Sequence, residues 1–280
     1  MDKHNFVICA YKESPYLEEC IRSLKNQTIQ SPIKMVTSTP CVYIKTLAEK
    51  YNLPLYVNEG EGGIAQDWNF AMSQCDAKYI TIAHQDDIYE PAYAEKIIGR
   101  LDQAERPLIA FSGYGELRNG QKIWASPLIN IKKTMLLPMR IKEFSGSKFI
   151  RRRCMSLGNS ICCPAVTYAM DNLQMPVFQV GLKSNLDWET WERISRERGE
   201  FLYIPEPLML HRLHEESTTS QLINDHKRGG EDLEMFLKFW PSGIAHLINK
   251  FYARGEKYRD NKLVEAQRLQ QRTLFDLEML

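Results

Sequence analysis

The sequence predicts an α/β fold, a mainly parallel sheet flanked by helices, with a helical appendage at its C-terminal end. Three observations carry that prediction. Short apolar segments alternate with segments of helical spacing from residue 6 to residue 112, the pattern of βαβ units. Tyr79, Ile80, Thr81, Ile82 and Ala83 are β-branched, aromatic or small, with no breaker among them, as in a strand covered on both faces. Polarity then switches at His84, Gln85, Asp86 and Asp87, and the carboxyl ends of strands are where open α/β sheets bind ligands.

The elements follow in order. Phe6 to Ala10 is an apolar strand, and Leu17, Cys20, Ile21 and Leu24 fall at helical spacing after the start signal Ser14-Pro15. Ile33 to Val36 is a second strand, followed by a helix through Ile44, Leu47, Ala48 and Tyr51. Leu55 to Val57 is a third. The glycines at 60, 62 and 63 open a helix carrying Ala65, Trp68, Met72 and Cys75. After the strand at 79–83 come a helix with Tyr93, Ile97, Ile98 and Leu101 and a strand from Leu108 to Ser112. Beyond residue 112 the alternation becomes irregular.

Composition narrows the class. A chain of 280 residues that is 44% hydrophobic can bury one large core, or a domain plus an appendage. A net charge of +1 gives no case for nucleic acid. Seven cysteines, odd in number and without CxxC spacing, imply free thiols in a reducing cytoplasm. The apolar run at 6–10 is too short for a signal peptide, and no run of about 18 apolar residues could span a bilayer. A cytoplasmic protein is expected, with peripheral contact at the inner membrane face left open. The glycines at 60–63 do not form GxGxxG, and neither a P-loop nor a GxSxG elbow occurs.

Two carboxylates and an imidazole crowded at the strand end need something positive to offset them. A divalent metal carrying a phosphorylated ligand would do so; the competing reading is a turn in which Asp86 or Asp87 caps the next helix. From Lys132 to Arg153 eight basic residues face the single acid Glu143, which reads either as a solvated face or as a site for an anionic substrate. Asp187, Trp191 and Ile194 share one helix face. A carboxylate on that apolar face would have a raised pKa suited to a general base. Ser184-x-x-Asp187 also matches a capping box, and the two readings are compatible. Gly199 ends that helix, Phe201 to Ile204 is a strand, and Pro205 and Pro207 bracket a turn before an extended segment delivers His211, Arg212 and His214.

Taken together, FVICAYKES, NEGEGGIAQDWNFAM, YITIAHQDD, LDWETWERI and IPEPLMLHRLHEEST, in this order, resemble glycosyltransferase family 2 over roughly residues 5 to 220. The resemblance implies a GT-A fold: a Rossmann-like nucleotide-sugar half at 1–112, an acceptor and catalytic half at 113–221, and a helical extension at 222–280. It implies inverting transfer of a sugar from a nucleotide-diphosphate donor to an acceptor hydroxyl, in bacterial polysaccharide or cell-surface glycan synthesis. Ala10, Tyr11 and Glu13 match the loop holding base and ribose, with Tyr11 a stacking face. His84-Gln85-Asp86 aligns with the family's Asp-x-Asp motif, which makes Asp86 the direct ligand of Mn²⁺ or Mg²⁺ and puts Gln85 at the donor. Asp187 matches the catalytic base. Arg212 and His214 match the late motif that closes over the diphosphate, with His214 a metal ligand.

Departures from the family pattern qualify the comparison. His84 stands where the first acid is expected, and imidazole suits Mn²⁺ better than Mg²⁺. Thr37-Ser38-Thr39 replaces the aspartate that reads the base, so Ser38 is placed there. Trp68 replaces an arginine and either stacks on the base or packs in the core. Leu186 replaces the glutamate before Asp187. Asn159, in SLGNSICCP, and Trp188 are placed on the acceptor, a glycan or lipid-linked and plausibly anionic molecule; Cys162 and Cys163 are read as packed thiols. In the extension, Ile244, Leu247, Ile248, Phe251 and Tyr252 form an apolar stripe near Lys250, Arg254, Lys257 and Arg259. It packs on the catalytic domain, makes a homodimer or lies on a membrane. A sugar nucleotidyltransferase and a catalytically silent nucleotide- or glycan-binding module are the alternatives.

Overall fold

The computed structural model describes residues 2–182, 184–214 and 228–254. Nine strands are present among them: β1 (Asp2–Ala10), β2 (Ile33–Thr37), β3 (Leu55–Val57), β4 (Ala77–His84), β5 (Ile88–Tyr89), β6 (Pro107–Arg118), β7 (Gln121–Ile123), β8 (Val166–Ala169) and β9 (Glu200–Leu213). They form one sheet in the order β3-β2-β1-β4-β8-β6-β9-β5, with β7 paired to β6. Strands β1, β2, β3, β4, β6 and β9 run in one direction; β5, β7 and β8 are reversed.

Alternation along β1 shows how the sheet is covered. Phe6, Ile8 and Ala10 face a core shared with α1 (Leu17–Lys25), α2 (Val42–Lys50) and α4 (Tyr93–Asp102). Val7 faces the opposite core, built from α3 (Ile64–Ser73), α7 (Leu186–Ile194) and α8 (Arg228–Leu237). Two apolar faces per strand follow from helices on both sides. Because β1 and β4 are parallel neighbours, with Cys9 opposite His84, the loops after both strands emerge at the same sheet edge.

The second half departs from the expected pattern. β6 runs on to Arg118, and β9 is one strand through Pro205 and Pro207, where the sequence suggests a turn. The two strands pair in parallel with register shifts at Ser112/Gly113 and Gly113/Gly115. Bulges absorb prolines that cannot donate to a ladder. Gly113 permits the approach, since a Cβ there would lie 2.7 Å from the Pro205 carbonyl oxygen. The four residues of β8 enter antiparallel between β4 and β6, too short a run to be seen in sequence.

The basic segment is neither a plain solvated face nor an open anion site at its C-terminal end. It comprises α5 (Pro127–Met135), short turns and α6 (Lys148–Cys154). Arg151 is buried and donates to the carbonyls of Ser195 (2.7 Å), Glu197 and Gly199 (2.6 Å), which satisfies the end of α7. Arg152 pairs with Glu192 and donates to the Lys238 carbonyl (2.9 Å). Arg153 lies over Trp240, 4.6 Å from the ring centroid. At the other end of α7 the expected capping box is replaced by a tertiary cap. The Ser184 hydroxyl and the backbone N–H groups of Ser184 and Asn185 all donate to Glu231 Oε2, and Asn185 Nδ2 donates to Asp232 Oδ1.

The apolar stripe of the extension divides between two faces of a helix beginning at residue 242 and described to 254, α9. Ala245, Ile248 and Tyr252 pack into the second core, while Ile244, Leu247 and Phe251 face outward. Lys257 and Arg259 lie outside the described residues.

A polar chain crosses the sheet. His4 is 2% exposed, with Nδ1 2.8 Å from Ser31 Oγ and Nε2 2.9 Å from Thr81 Oγ1; Thr81 contacts Thr167 Oγ1 at 2.6 Å, which in turn meets Tyr93 Oη at 3.2 Å. Burial lowers the His4 pKa from 6.5 to about 3. The unfolded chain therefore takes up a proton between those values that the folded one refuses. His4 contributes no pH dependence above 6.5, and stability falls as pH drops from there toward 3, by up to about 1.4 kcal/mol per pH unit. Urea midpoints measured from pH 7 down to 4.5 should fall in the native chain and fall less steeply in His4→Gln; parallel curves would reject this account.

Candidate active site

Strand β4 ends at His84, and the tight turn after it, with the Asp87 N–H donating to the His84 carbonyl (3.2 Å), throws three titratable side chains to one side. His84, Asp86 and Asp87 each offer a ligand atom within 4.8 Å of the others. Asp87 is completely buried. Its Oδ1 accepts the backbone N–H of Arg212 (2.9 Å) and lies 3.1 Å from His211 Nδ1. Burial alone would lower the His211 pKa, but the Asp87 charge and hydrogen bond raise it to about 9. Asp86 Oδ2 is 2.9 Å from His214 Nε2. Burial opposes the Asp86 charge, yet the His214 bond and the surrounding imidazoles outweigh it and hold the carboxyl below its ordinary value.

Two atoms in this cluster are buried without a hydrogen-bond partner among the described residues: His84 Nε2 and Asp87 Oδ2. Orphaned polar atoms of this kind are costly. An imidazole nitrogen and a carboxyl oxygen, with Asp86 alongside, form a mixed N/O donor set that fits a first-row divalent cation. The His84 ring stacks on Trp68, with centroids 5.2 Å apart and 21° between planes. Trp68 also packs edge-on against Phe178 at 4.8 Å. Trp68 is partly buried, packs against the second core and backs the imidazole.

Several residues expected to touch ligands also position others. Gln85 accepts from the Tyr11 N–H (2.9 Å) and donates to the Tyr11 carbonyl (3.0 Å), so its amide ties the loop after β1 to the turn after β4. Within that loop Ala10 is buried in the sheet, whereas Tyr11 and Glu13 are exposed. Lys12 adopts φ 54°, and its N–H donates to Thr39 Oγ1 at 2.6 Å. A left-handed lysine held from both sides is local strain, of the sort found near functional loops. Ser38 Oγ donates to Asp67 Oδ2, and Asn58 Nδ2 donates to Asp67 Oδ1, both at 2.8 Å. Where the sequence lacks an acid after β2, α3 supplies one beside Ser38.

Arg212, expected over a diphosphate, is mostly buried and braces the site from behind. Its Nε donates to the Asp86 carbonyl (2.8 Å), Nη2 pairs with Glu19, and the guanidinium lies 4.3 Å from the Tyr16 ring centroid.

Asp187 lies in the first turn of α7, half-buried, with Oδ2 accepting from Asn159 Nδ2 at 2.6 Å and Oδ1 from the Trp188 N–H at 2.7 Å. Asn159 Oδ1 accepts the Ile161 N–H (3.3 Å), so both ends of that amide are engaged. It orients Asp187. The placement of Trp188 on the acceptor is corrected. Trp188 is wholly buried, its indole N–H donates to the Met155 carbonyl (3.0 Å), and it packs against Phe236 and Phe239. An apolar ring beside the acid on a helix faces the core once the acid faces the cleft. Cys163 connects the two acidic positions: burial pushes its thiol up, and Asp187 and Asp87 both add to that effect.

Asn58 and Asp67 are residues that sequence reading missed as site members. Asp87 and His211 are singled out within the HQDD and HRLH runs, but nothing local gives them a role apart from their neighbours.

The arrangement agrees with comparison to known proteins. Residues 5–167, more than half of the chain, match the family model for glycosyl transferase family 2, and the chain belongs to that family. An uncharacterized glycosyltransferase of Haemophilus influenzae is 24% identical over 274 residues, covering 87% of this chain and 74% of the relative. Among solved structures, TarS 1–349 of S. aureus in complex with UDP-GlcNAc aligns with a TM-score of 0.58 at 15% identity, over 88% of this chain and 70% of that one. The mannosyltransferase PcManGT of Pyrobaculum calidifontis, in complex with GDP-Man and Mn²⁺, aligns with a TM-score of 0.61 at 10% identity, over 84% and 63%. At these identities the likeness is one of fold, and it is the GT-A fold. A further model, the UvrB third helical domain, matches residues 249–280, too small a share of the chain to show membership.

Asp87→Asn removes the carboxyl group whose Oδ1 faces both His211 and the Arg212 backbone. It should lower unfolding free energy by about 3 kcal/mol, the scale for stripping one partner from a buried pair. Asp86→Asn, at the half-buried position, should cost less. Equal losses in urea titrations would mean that Asp87 does not hold β9 in place.

Proposed function

We propose that this chain is an inverting, divalent-metal-dependent glycosyltransferase that moves a sugar from a nucleotide-diphosphate donor to an acceptor hydroxyl. In this reading it acts in the cytoplasm in bacterial surface-glycan synthesis, with donor contacts in residues 1–112 and acceptor contacts in 113–221. The observation that carries it is the pair of orphaned buried atoms, His84 Nε2 and Asp87 Oδ2, beside Asp86 at the end of β4. Fold neighbours described with UDP-GlcNAc and with GDP-Man and Mn²⁺ support the donor class.

His84, Asp86 and Asp87 would hold the metal, with His214 as the hydrogen-bond partner that keeps Asp86 charged. A divalent cation, when bound, stabilises negative charge on the leaving diphosphate. The chain's own residues do the rest. Tyr11, 52% exposed, offers a face to the base, and Asp67, fixed by Ser38 and Asn58, offers that base a carboxylate. Asp187, oriented by Asn159, takes the proton of the acceptor hydroxyl, whose oxygen attacks the anomeric carbon from the side opposite the departing diphosphate. One displacement inverts the centre. The partly buried Trp68 and the buried Phe178 form an apolar wall beside His84 that limits water there.

Asp187→Asn should lower transfer at least roughly a thousandfold, of the order seen when a proton acceptor is removed, while donor affinity by calorimetry stays within about twofold; retained turnover rejects the base assignment. Asp86→Ala should abolish metal-dependent donor binding, and unchanged binding would place the metal elsewhere. His84→Asp should move the Mn²⁺ to Mg²⁺ activity ratio toward Mg²⁺, since a carboxylate is the harder ligand. A ratio that does not move would show that His84 is no ligand. Failure of every donor in a panel to bind or turn over, with or without Mn²⁺, would favour a silent module.

A further inference from the structure

Two segments meet on one surface away from the acid cluster. Residues 147–158 and 241–254 contain no aspartate or glutamate, in a chain whose net charge is only +1. Trp240 ties them at one end, where its indole N–H donates to the Ser156 carbonyl (2.7 Å) and Arg153 covers its ring. Gly158 ties them at the other, where a Cβ would lie 3.0 Å from the Tyr252 ring. Helix α9 spends Ala245, Ile248 and Tyr252 on the core, so Ile244, Leu247 and Phe251 have nothing beneath them among the described residues. Ile244 is 45% exposed, Leu247 56% and Phe251 62%, at i, i+3 and i+7. On the adjoining segment Phe149 is 66% exposed and Leu157 53%. The exposed cations Lys148, Arg153, Lys250 and Arg254 stand among them.

We propose that this surface docks on an anionic phospholipid membrane, with Ile244, Leu247 and Phe251 entering the interface and Lys250, Arg254, Lys148 and Arg153 meeting the headgroups. A strip of large apolar side chains bordered by cations, on a helix whose described residues carry no acid, is the composition that lies in the plane of a charged bilayer. Charge also argues against a second copy as occupant. A two-fold contact sets the same patch against itself, bringing Lys250 and Arg254 of both copies together with no acid among the described residues of the two segments to offset them. The helix is not a span: no helix among the described residues is long and apolar enough to cross a membrane. The inference does not rest on the transfer reaction. Its bearing on it is position: Tyr252, on the inner side of α9, packs 6.4 Å from the ring of Trp188, the residue next to Asp187.

Co-sedimentation of the full chain with vesicles tests the proposal. Binding is expected to phosphatidylglycerol–phosphatidylcholine vesicles, to be much weaker to phosphatidylcholine alone, and to decline toward about 1 M salt, where the screening length is roughly 3 Å. The double variant Leu247→Ser/Phe251→Ser alters only outward side chains, so thermal unfolding should match the native chain. Its partitioning should fall roughly tenfold or more, the change produced by about 1.4 kcal/mol. Lys250→Glu/Arg254→Glu should remove the preference for anionic vesicles. No binding to anionic vesicles overturns the proposal. So does binding that neither double variant changes, because other residues would then carry it. Light scattering that shows a native dimer broken by Leu247→Ser/Phe251→Ser would assign the surface to self-association instead.

Discussion

The site depends on one buried carboxylate. Asp87 has no exposed surface, yet it carries a charge that must be compensated within the protein. It is compensated by the far end of the chain: the Arg212 N–H and the His211 imidazole, both from the last residues of β9. That demand fixes where β9 ends relative to β4. Asp86 is thereby set against His214, and the Arg212 guanidinium against the Asp86 carbonyl and Glu19. A neutral residue at 87 would weaken the tie between the end of β9 and the turn after β4, and with it the back wall of the acid cluster.

The same logic governs the second acidic position. α7 is a short helix with charged residues on a largely buried body, held at both ends from outside. Glu231 and Asp232 of α8 satisfy its start, and Arg151 of α6 satisfies its end. Buried Glu189 and Glu192 are answered by Lys238, Arg152 and Arg196. Helix ends leave four backbone groups unpaired, and supplying them from other elements fixes the helix in position as well as in length. The proposed base Asp187 therefore sits on a braced support, with Asn159 setting its rotamer.

Residues that resemble ligand contacts can act one step removed. Gln85 and Arg212 occupy positions in the family motifs, but their polar groups bind the Tyr11 backbone, the Asp86 carbonyl and Glu19. Positioning of this kind is what a site needs when its reacting groups must be held to a fraction of an ångström. Fold class, β1 to β4, the first part of β6, their helices and the placement of HQDD at a strand end were all legible because each rests on a local period or polarity switch. The continuous β9 was not legible, because a pair of prolines reads as a turn unless a neighbouring strand supplies the bulges. Nor was β8, whose four residues carry no period of their own.

The sequence by itself determined the alternating α/β layout, the acid cluster at the end of β4, membership of glycosyl transferase family 2 over residues 5–167, and Asp187 at the start of a helix. These are properties of spacing and residue type along the chain. Only the tertiary structure decided that Trp188 faces the core, that Asn159 serves Asp187, that three arginines of the basic segment stitch helices together or cover a tryptophan, and that Asp87 is the buried anchor. Each of these turns on which partner lies across tens or more than a hundred residues of chain. Burial and hydrogen-bond satisfaction are settled between elements, so no local pattern encodes them.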